Sequence, residues 1–266
     1  MRPQERWTAI LDRLSVNEHV STKELSAELG VTSVTVRTDL RFLEEHGRLR
    51  RVHGGAVPAS HVLETSHDDR GEVDGSQKAA IAALAATLLE PGMTIVLDVG
   101  TTTLALAERI ANDDGIAGLR VVTNGLRQAA CLEPAMPRNE VYVTGGVLRP
   151  MQHSLVQSGV IEGLRRFHAD LAFIGCDGVD PVHGVTTTNL PEADIKEEMR
   201  RLSDRSVLLA AGSKLGEVAS VLVNGVGEFD TLITSADADV EVLTRLKQLG
   251  LEVLVAPAAA DREDSR

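Results

Sequence analysis

Aromatic side chains are scarce in this chain of 266 residues: four Phe, one Trp and one Tyr, or 2%. A core without them must rest on Ala, Val, Leu and Ile, which suits a buried parallel sheet. The scarcity also leaves little surface on which a nucleobase could stack. Cysteine is nearly absent. Cys131 and Cys176 are too few for a disulfide framework and have no metal-ligand spacing, so both read as buried thiols in a reducing cytosol. No apolar run approaches the ~18 residues of a membrane span. The polar start, Met1 to Arg6, is unlike a secretory signal, so the expected place is the cytoplasm, away from membranes. Neither the G-x-x-x-x-G-K-[ST] nor the G-x-G-x-x-G spacing occurs at the one candidate phosphate loop, which excludes an NTPase and a dinucleotide enzyme. No metal ligand set, cofactor site or catalytic residue is expected. At 43% hydrophobic content the chain folds rather than staying disordered, and it is long enough for a large domain and a small one.

Positive charge is also short, but unevenly. The net charge is -12, with 27 Lys and Arg against 39 Asp and Glu. Residues 1–58 carry nine basic and eight acidic side chains, and the remainder eighteen and thirty-one. Phosphates repel so acidic a body, so any nucleic-acid role belongs to the near-neutral N-terminal piece.

That piece reads as a helix-turn-helix. Trp7, Ile10, Leu11 and Leu14 share one face of a helix from Pro3 to Leu14. Ser21-Thr22-Lys23-Glu24 matches a capping box, with Leu25 and Leu29 inward and Gly30 as the stop. Thr32 caps a third helix reaching about Glu45, with Val36, Leu40 and Leu43 inward. Ser33, Thr35, Arg37, Thr38 and Arg41 then face outward, where hydroxyls meet phosphates or base edges and Arg pairs with guanine. Arg48 to Ala56 predicts a strand, a tight turn and a return strand: a basic wing bearing Arg50, Arg51 and His53. The candidate DNA contacts are therefore Ser21, Thr32, Ser33, Thr35, Arg37, Thr38, Arg41, Arg50, Arg51 and His53. A polar linker over 59–77 follows, then a domain over 78–258 and a polar tail over 259–266.

In the larger domain, helical stretches alternate with near-continuous apolar strands at 94–97, 120–122, 141–143, 171–174, 206–209, 231–233 and 252–255. This predicts an open α/β sheet with helices on both faces. Five strands end in small or polar residues: Asp98-Val99-Gly100-Thr101-Thr102, Thr123-Asn124-Gly125, Thr144-Gly145-Gly146, Gly175-Cys176-Asp177-Gly178 and Gly212-Ser213-Lys214. Such endings line the crevice at the carboxyl edge of an α/β sheet. Gly100, Thr101, Thr102 and Thr103 open a helix whose free N–H groups and dipole suit a phosphate. Lys214 and Arg149 supply positive charge, and Asp98, Asn124 and Asp177 suit sugar hydroxyls. Thr123, Gly145, Gly146 and Glu192 complete the expected effector set, and a small phosphorylated sugar or polyol is the expected ligand.

Both halves together resemble the DeoR-type transcriptional regulators. The family pattern near V-S-x-x-T-I-R-R-D-L stands here as Val31-Thr32-Ser33-Val34-Thr35-Val36-Arg37-Thr38-Asp39-Leu40. Leu43 with Gly47, Arg51-Val52-His53-Gly54-Gly55-Ala56, Leu97 to Thr102, Thr123-Asn124, Gly145-Gly146, Phe173-Ile174-Gly175 and Ser213-Lys214 continue it. The resemblance implies a winged helix-turn-helix followed by an open, mostly parallel α/β sensor domain similar to the ribose-5-phosphate isomerase and CoA-transferase fold. It implies a homo-oligomer, dimer or tetramer, that represses genes of carbohydrate or polyol use and leaves double-stranded operator DNA when a phosphorylated intermediate binds. Two positions depart from the pattern. Thr38 replaces the second arginine of the R-R pair, and Ala211-Gly212 replace the acidic residue before Ser-Lys. The alternative is a sugar-phosphate isomerase-like enzyme with an accessory DNA-binding domain, since Asp177, Asp180 and Glu192 resemble that enzyme's carboxylates. Another is a DNA-binding protein whose second domain only oligomerises.

Overall fold

Ser21 begins the helix-turn-helix by exchanging two hydrogen bonds with Glu24. The Glu24 amide donates to Ser21 Oγ at 3.1 Å, and the Ser21 amide donates to Glu24 Oε2 at 3.3 Å. This closes the expected capping box over α2 (Thr22–Leu29). Gly30, at φ +64°, ends α2 in the left-handed conformation that glycine adopts without Cβ strain. Thr32 Oγ1 accepts from the Thr35 amide at 3.2 Å and starts α3 (Ser33–Glu45). With α1 (Pro3–Val16), these helices enclose Ile10, Leu14, Leu25, Val36, Leu40 and Leu43.

The computed structural model describes residues 3–17, 19–45, 48–52, 54–58, 75–149 and 152–258, and the chain divides into two units, Met1–Glu64 and Thr65–Arg266. In the first unit the wing is an antiparallel sheet in the order β1-β3-β2, from β1 (Val20–Ser21), β2 (Leu49–Val52) and β3 (Gly55–Pro58). A Cβ on Gly55 would lie 2.0 Å from the Val20 carbonyl, so only glycine lets β3 reach β1 there. Asp39 ties α1 to α3. Its carboxylate accepts from Arg6 Nε at 2.7 Å, Arg6 Nη2 at 2.9 Å and Trp7 Nε1 at 2.8 Å, while Trp7 stacks on Phe42 at 3.9 Å. The neighbouring carboxylate raises the Arg6 guanidinium above its ordinary value through that hydrogen bond.

The second unit is built on seven parallel strands in the order β15-β14-β12-β9-β4-β5-β6. They are β4 (Thr94–Leu97), β5 (Arg120–Thr123), β6 (Glu140–Val143), β9 (Ala169–Gly175), β12 (Ser203–Ala210), β14 (Thr231–Thr234) and β15 (Glu252–Val255). Successive residues serve opposite faces. Ile95, Leu97, Phe173 and Leu209 pack with Ile81 and Ala85 of α4 (Gly75–Ala86) and Leu106 and Ile110 of α5 (Thr101–Asn112). Val96, Ile174 and Leu208 pack on the other side with Val160 of α7 (Ser158–Leu164), Ile195 and Met199 of α8 (Leu190–Arg201), and Leu243 and Leu246 of α9 (Val240–Gln248). Between β5 and β6 lies α6 (Leu126–Leu132). The open parallel sheet, covered on both faces, is the one expected.

Two smaller sheets were not expected. β7 (Val147–Arg149) pairs with β8 (Ser154–Val156), and β10 (Gly178–Asp180), β11 (Gly184–Thr187) and β13 (Val221–Asn224) form a three-stranded sheet. Their strands are short and mix polar with apolar residues, so they lack the continuous apolar run that marks the central strands. No described helix is long and apolar enough to cross a membrane.

The strand order fixes where a ligand can sit. From β4 the chain runs outward through β5 to β6, then returns to β9 on the opposite side of β4 and runs outward again through β12, β14 and β15. Connections therefore diverge between β4 and β9. In open α/β sheets the crevice outside the carboxyl ends at such a switch point is the binding position.

Candidate functional site

A cleft opens at that switch point, lined by Val99 to Thr103, Gln152, Gly175 to Asp177, Thr187, Glu192, Lys196 and Lys214. Gly100, at φ +152°, turns the chain from β4 into α5. Its carbonyl accepts from Thr103 Oγ1 at 3.0 Å and Gln128 Nε2 at 2.9 Å, which fixes the loop. The first turn of α5 thus presents unsatisfied backbone N–H groups to the cleft. Thr101 is half-exposed, whereas the buried Thr103 hydroxyl is spent on its own loop.

Beneath the loop lies a buried ion pair. Asp98 is 1% exposed, and its Oδ2 accepts from the Gly175 amide at 3.0 Å and from Lys196 Nζ. Among the described residues Asp98 Oδ1 has no hydrogen-bond partner. Burial pulls the Lys196 pKa down, but the charges of Asp98 and Glu192 and the Asp98 hydrogen bond outweigh it, so the ammonium stands above the ordinary lysine value. One turn earlier on α8, Glu192 pairs with Arg149 and accepts from Ser154 Oγ at 3.3 Å. Burial raises the Glu192 carboxyl above its usual range, against the pull of Lys196 and Arg149. Asp177 Oδ2 accepts from Thr187 Oγ1 at 3.0 Å and the Thr188 amide at 3.1 Å, and Lys214 Nζ donates to the Cys176 carbonyl. The buried Cys176 thiol is pushed up to about 11 by burial and is not a nucleophile at neutral pH. Cys131 is only half-buried, against the expectation of full burial.

Of the predicted effector residues, the cleft brings together Gly100, Thr101, Thr102, Thr103, Asp177, Glu192 and Lys214, with Asp98 directly beneath. Five others stand outside the lining. Thr123 Oγ1 accepts from the Gly125 amide at 3.0 Å, and Asn124 Nδ2 donates to the Leu155 carbonyl at 3.2 Å, both fully buried. Thr123 thus closes its own turn, and Asn124 fastens the β7–β8 hairpin. A Cβ on Gly146 would meet the Val156 carbonyl at 2.7 Å, so that glycine serves the same hairpin, and Gly145 is exposed. Arg149 pairs with Glu192, which lines the cleft. The sequence reading missed Lys196, Gln152 and Thr187, and placed Cys176 at a crevice-lining strand end without giving it a role. For Lys196 a signal existed. Glu192, Lys196 and Met199 repeat on the same helical face as Ala193 and Ile195, so two charges fall on the buried side of α8.

In the first unit, Ser33, Arg37, Thr38 and Arg41 lie exposed along α3. A groove beside them is lined by Thr22, Lys23, Ser26, Ser33, Arg37 and Gly54. Ser21 and Thr32 spend their hydroxyls as helix caps, Thr35 Oγ1 lies 3.0 Å from Thr32 Oγ1, and Thr38 Oγ1 donates to the Val34 carbonyl at 3.1 Å. Arg51 is exposed on the wing, 3.7 Å from Glu44. The Arg50 backbone is in β2; its side chain and all of His53 lie outside the described residues.

A family model described as the DeoR-like helix-turn-helix domain matches residues 6–62, and one described as the DeoR C terminal sensor domain matches residues 74–236. The chain belongs to the DeoR family. The HTH-type transcriptional regulator GlpR of Haloferax volcanii is 36% identical over 255 residues, 96% of this chain and 98% of that protein. The HTH-type transcriptional repressor GlcR of Bacillus subtilis is 32% identical over 256 residues, 96% and 97% of the two chains. A structure of D-ribose-5-phosphate isomerase in complex with phospho-erythronic acid is 16% identical, covers 52% of each chain and has a TM-score of 0.39, too slight a likeness to argue from.

This DeoR-family chain is therefore a DNA-binding transcriptional regulator with a sensor domain, not an enzyme. Asp180 Oδ1 accepts from the Val182 and His183 amides, each at 2.8 Å, which makes it a turn cap outside the cleft lining.

Proposed function

We propose that this chain represses genes of sugar or polyol use and leaves its operator when a phosphorylated sugar or polyol fills the cleft at the β4–β9 switch point. DNA binding belongs to residues 1–58, effector binding to 78–258, and 59–77 joins them. The observation that carries the reading is the cleft itself, where the amides of an α-helix N-terminus meet two lysines and two carboxylates, with Asp98 beneath them. Anion and polyol recognition need that mixture. The phosphate lies on the first turn of α5 beside Lys214, and Asp177 and Glu192 take hydroxyls. The B. subtilis relative is named a repressor, which favours repression over activation.

On DNA, α3 enters the major groove with Ser33, Arg37, Thr38 and Arg41, and the wing adds Arg50, Arg51 and His53. Two copies of the chain, at work in the cytoplasm, grip half-sites about 34 Å or a multiple apart. The signal leaves the cleft through the loop that bears Lys214. In that loop the Gly212 amide donates to Ser235 Oγ at 2.8 Å, Ser235 Oγ lies 3.4 Å from Gln77 Oε1, and Gln77 Nε2 donates to Asp237 at 3.0 Å. Gln77 sits in the first turn of α4, where the joining segment arrives.

A thermal-shift screen of sugar and polyol phosphates tests the effector half of the proposal. A true effector raises the melting temperature with concentration, as linkage requires. A panel that leaves it unmoved would leave the second domain as an oligomerisation module only.

A further inference from the structure

Lys196 is the group in the cleft whose role is least like that of a structural ion pair. An ammonium 3% exposed is costly to bury unless it is paired, and Asp98 pairs it. Yet among the described residues Asp98 is its sole hydrogen-bond acceptor, and Lys196 also lines the cleft. An ammonium has three N–H donors, so two remain directed away from Asp98. Asp98 is itself held by the Gly175 amide at the end of β9. The donor is thus pinned to the two strands that form the switch point.

Its place in the fold says which part of a ligand it meets. The first turn of α5 comes from the sheet face that carries Ile81 and Leu106, and α8 comes from the opposite face. The two helices approach the crevice from opposite sides. A phosphate seated on α5 therefore turns the carbon chain of the ligand toward α8. There it meets a donor, Lys196, and one turn earlier an acceptor, Glu192. A fixed donor and acceptor on adjacent turns match oxygens on neighbouring carbons.

We propose that Lys196 is a specificity-determining residue of the effector site that donates to a hydroxyl or carbonyl oxygen on the carbon chain, not to the phosphate. The inference rests on the effector reading above. It predicts that effectors are short phosphorylated sugars or polyols with an oxygen beyond the phosphate-bearing carbon. The corresponding deoxy compounds and simple alkyl phosphates bind more weakly.

The test is calorimetric titration of the full-length chain and of Lys196→Gln. The ligands are the sugar or polyol phosphate that shifts wild-type melting most, its deoxy analogue, and an alkyl phosphate of equal length. The expected result is an at least tenfold weaker Kd of the variant for the oxygenated ligand, with unchanged affinity for the alkyl phosphate. Equal losses for both would make Lys196 a phosphate ligand, and no loss would make it structural; either overturns the proposal. If wild type binds no member of the panel, the effector reading itself fails, which is a separate outcome. Because Lys196→Gln strands Asp98, the double variant Asp98→Asn with Lys196→Met removes both charges, and the same discrimination is expected of it.

Discussion

Arg37 lies on the exposed side of α3, while Val36 and Leu40 beside it are buried in the core. Removing its guanidinium should touch DNA and nothing else. Arg37→Ala is expected to weaken operator binding by about 1–3 kcal/mol if it reads a base, with effector affinity unchanged, as checked by gel-shift titration and calorimetry. Asp39 is the contrasting case, three bonds deep inside the same unit. Asp39→Ala removes the carboxylate that accepts from the Arg6 guanidinium and the Trp7 indole N–H. A loss of about 2–3 kcal/mol in urea unfolding is expected, within the range for orphaning a buried polar partner. Asp39 was legible from the sequence only as a family position, because its partners lie more than thirty residues away. Thr32 and Ser21 were legible as caps, and their hydroxyls are spent there. Long-range partnership is what periodicity cannot report, and Lys196 with Asp98, ninety-eight residues apart, shows it again.

Among the elements, the loop from β4 into α5 carries the phosphate in this account. Replacing Thr101 and Thr102 with Val should give a protein that binds operator with normal affinity but needs at least tenfold more effector for release. Anisotropy measurements with a labelled operator would show it, and release at the wild-type concentration would remove the loop from the site. The first turn of α4 offers a different outcome. Gln77→Ala cuts its contact to Ser235 and Asp237 outside the cleft lining. Effector affinity and operator affinity are both expected to persist while release is blunted. The inner strands of the main sheet were readable because each is a run of apolar residues buried on both faces, while the edge strands β6 and β15 show the apolar run with only partial burial. The β7–β8 hairpin was not, since Val147, Leu148 and Arg149 carry no strand signature apart from their pairing. Without it, the strand-end residues Asn124 and Gly146 read as ligand groups, whereas Asn124 donates to the Leu155 carbonyl and Gly146 packs on the Val156 carbonyl.

At the scale of the whole molecule, the two units divide the charge as they divide the work. The acidic second unit repels DNA and the first grips it, so affinity depends on a few cations and on salt. Phosphate contacts release counterions, and log K should fall linearly with log salt, with a slope that shallows by about 1 for each phosphate-contacting cation removed. Arg51→Ala and Arg41→Ala are the variants to compare on that plot. The coupling is reciprocal: whatever factor the effector imposes on operator affinity, operator DNA imposes on effector affinity.

The most direct measurement is the operator affinity of the full-length chain with and without a saturating sugar or polyol phosphate chosen by thermal shift. It would be followed by fluorescence anisotropy on DNA from the promoter regions beside its gene. The account predicts a Kd at least tenfold weaker with the effector bound, and reversal when the effector is dialysed away. A Kd that is the same in both states, with the cleft shown to be occupied, would contradict it.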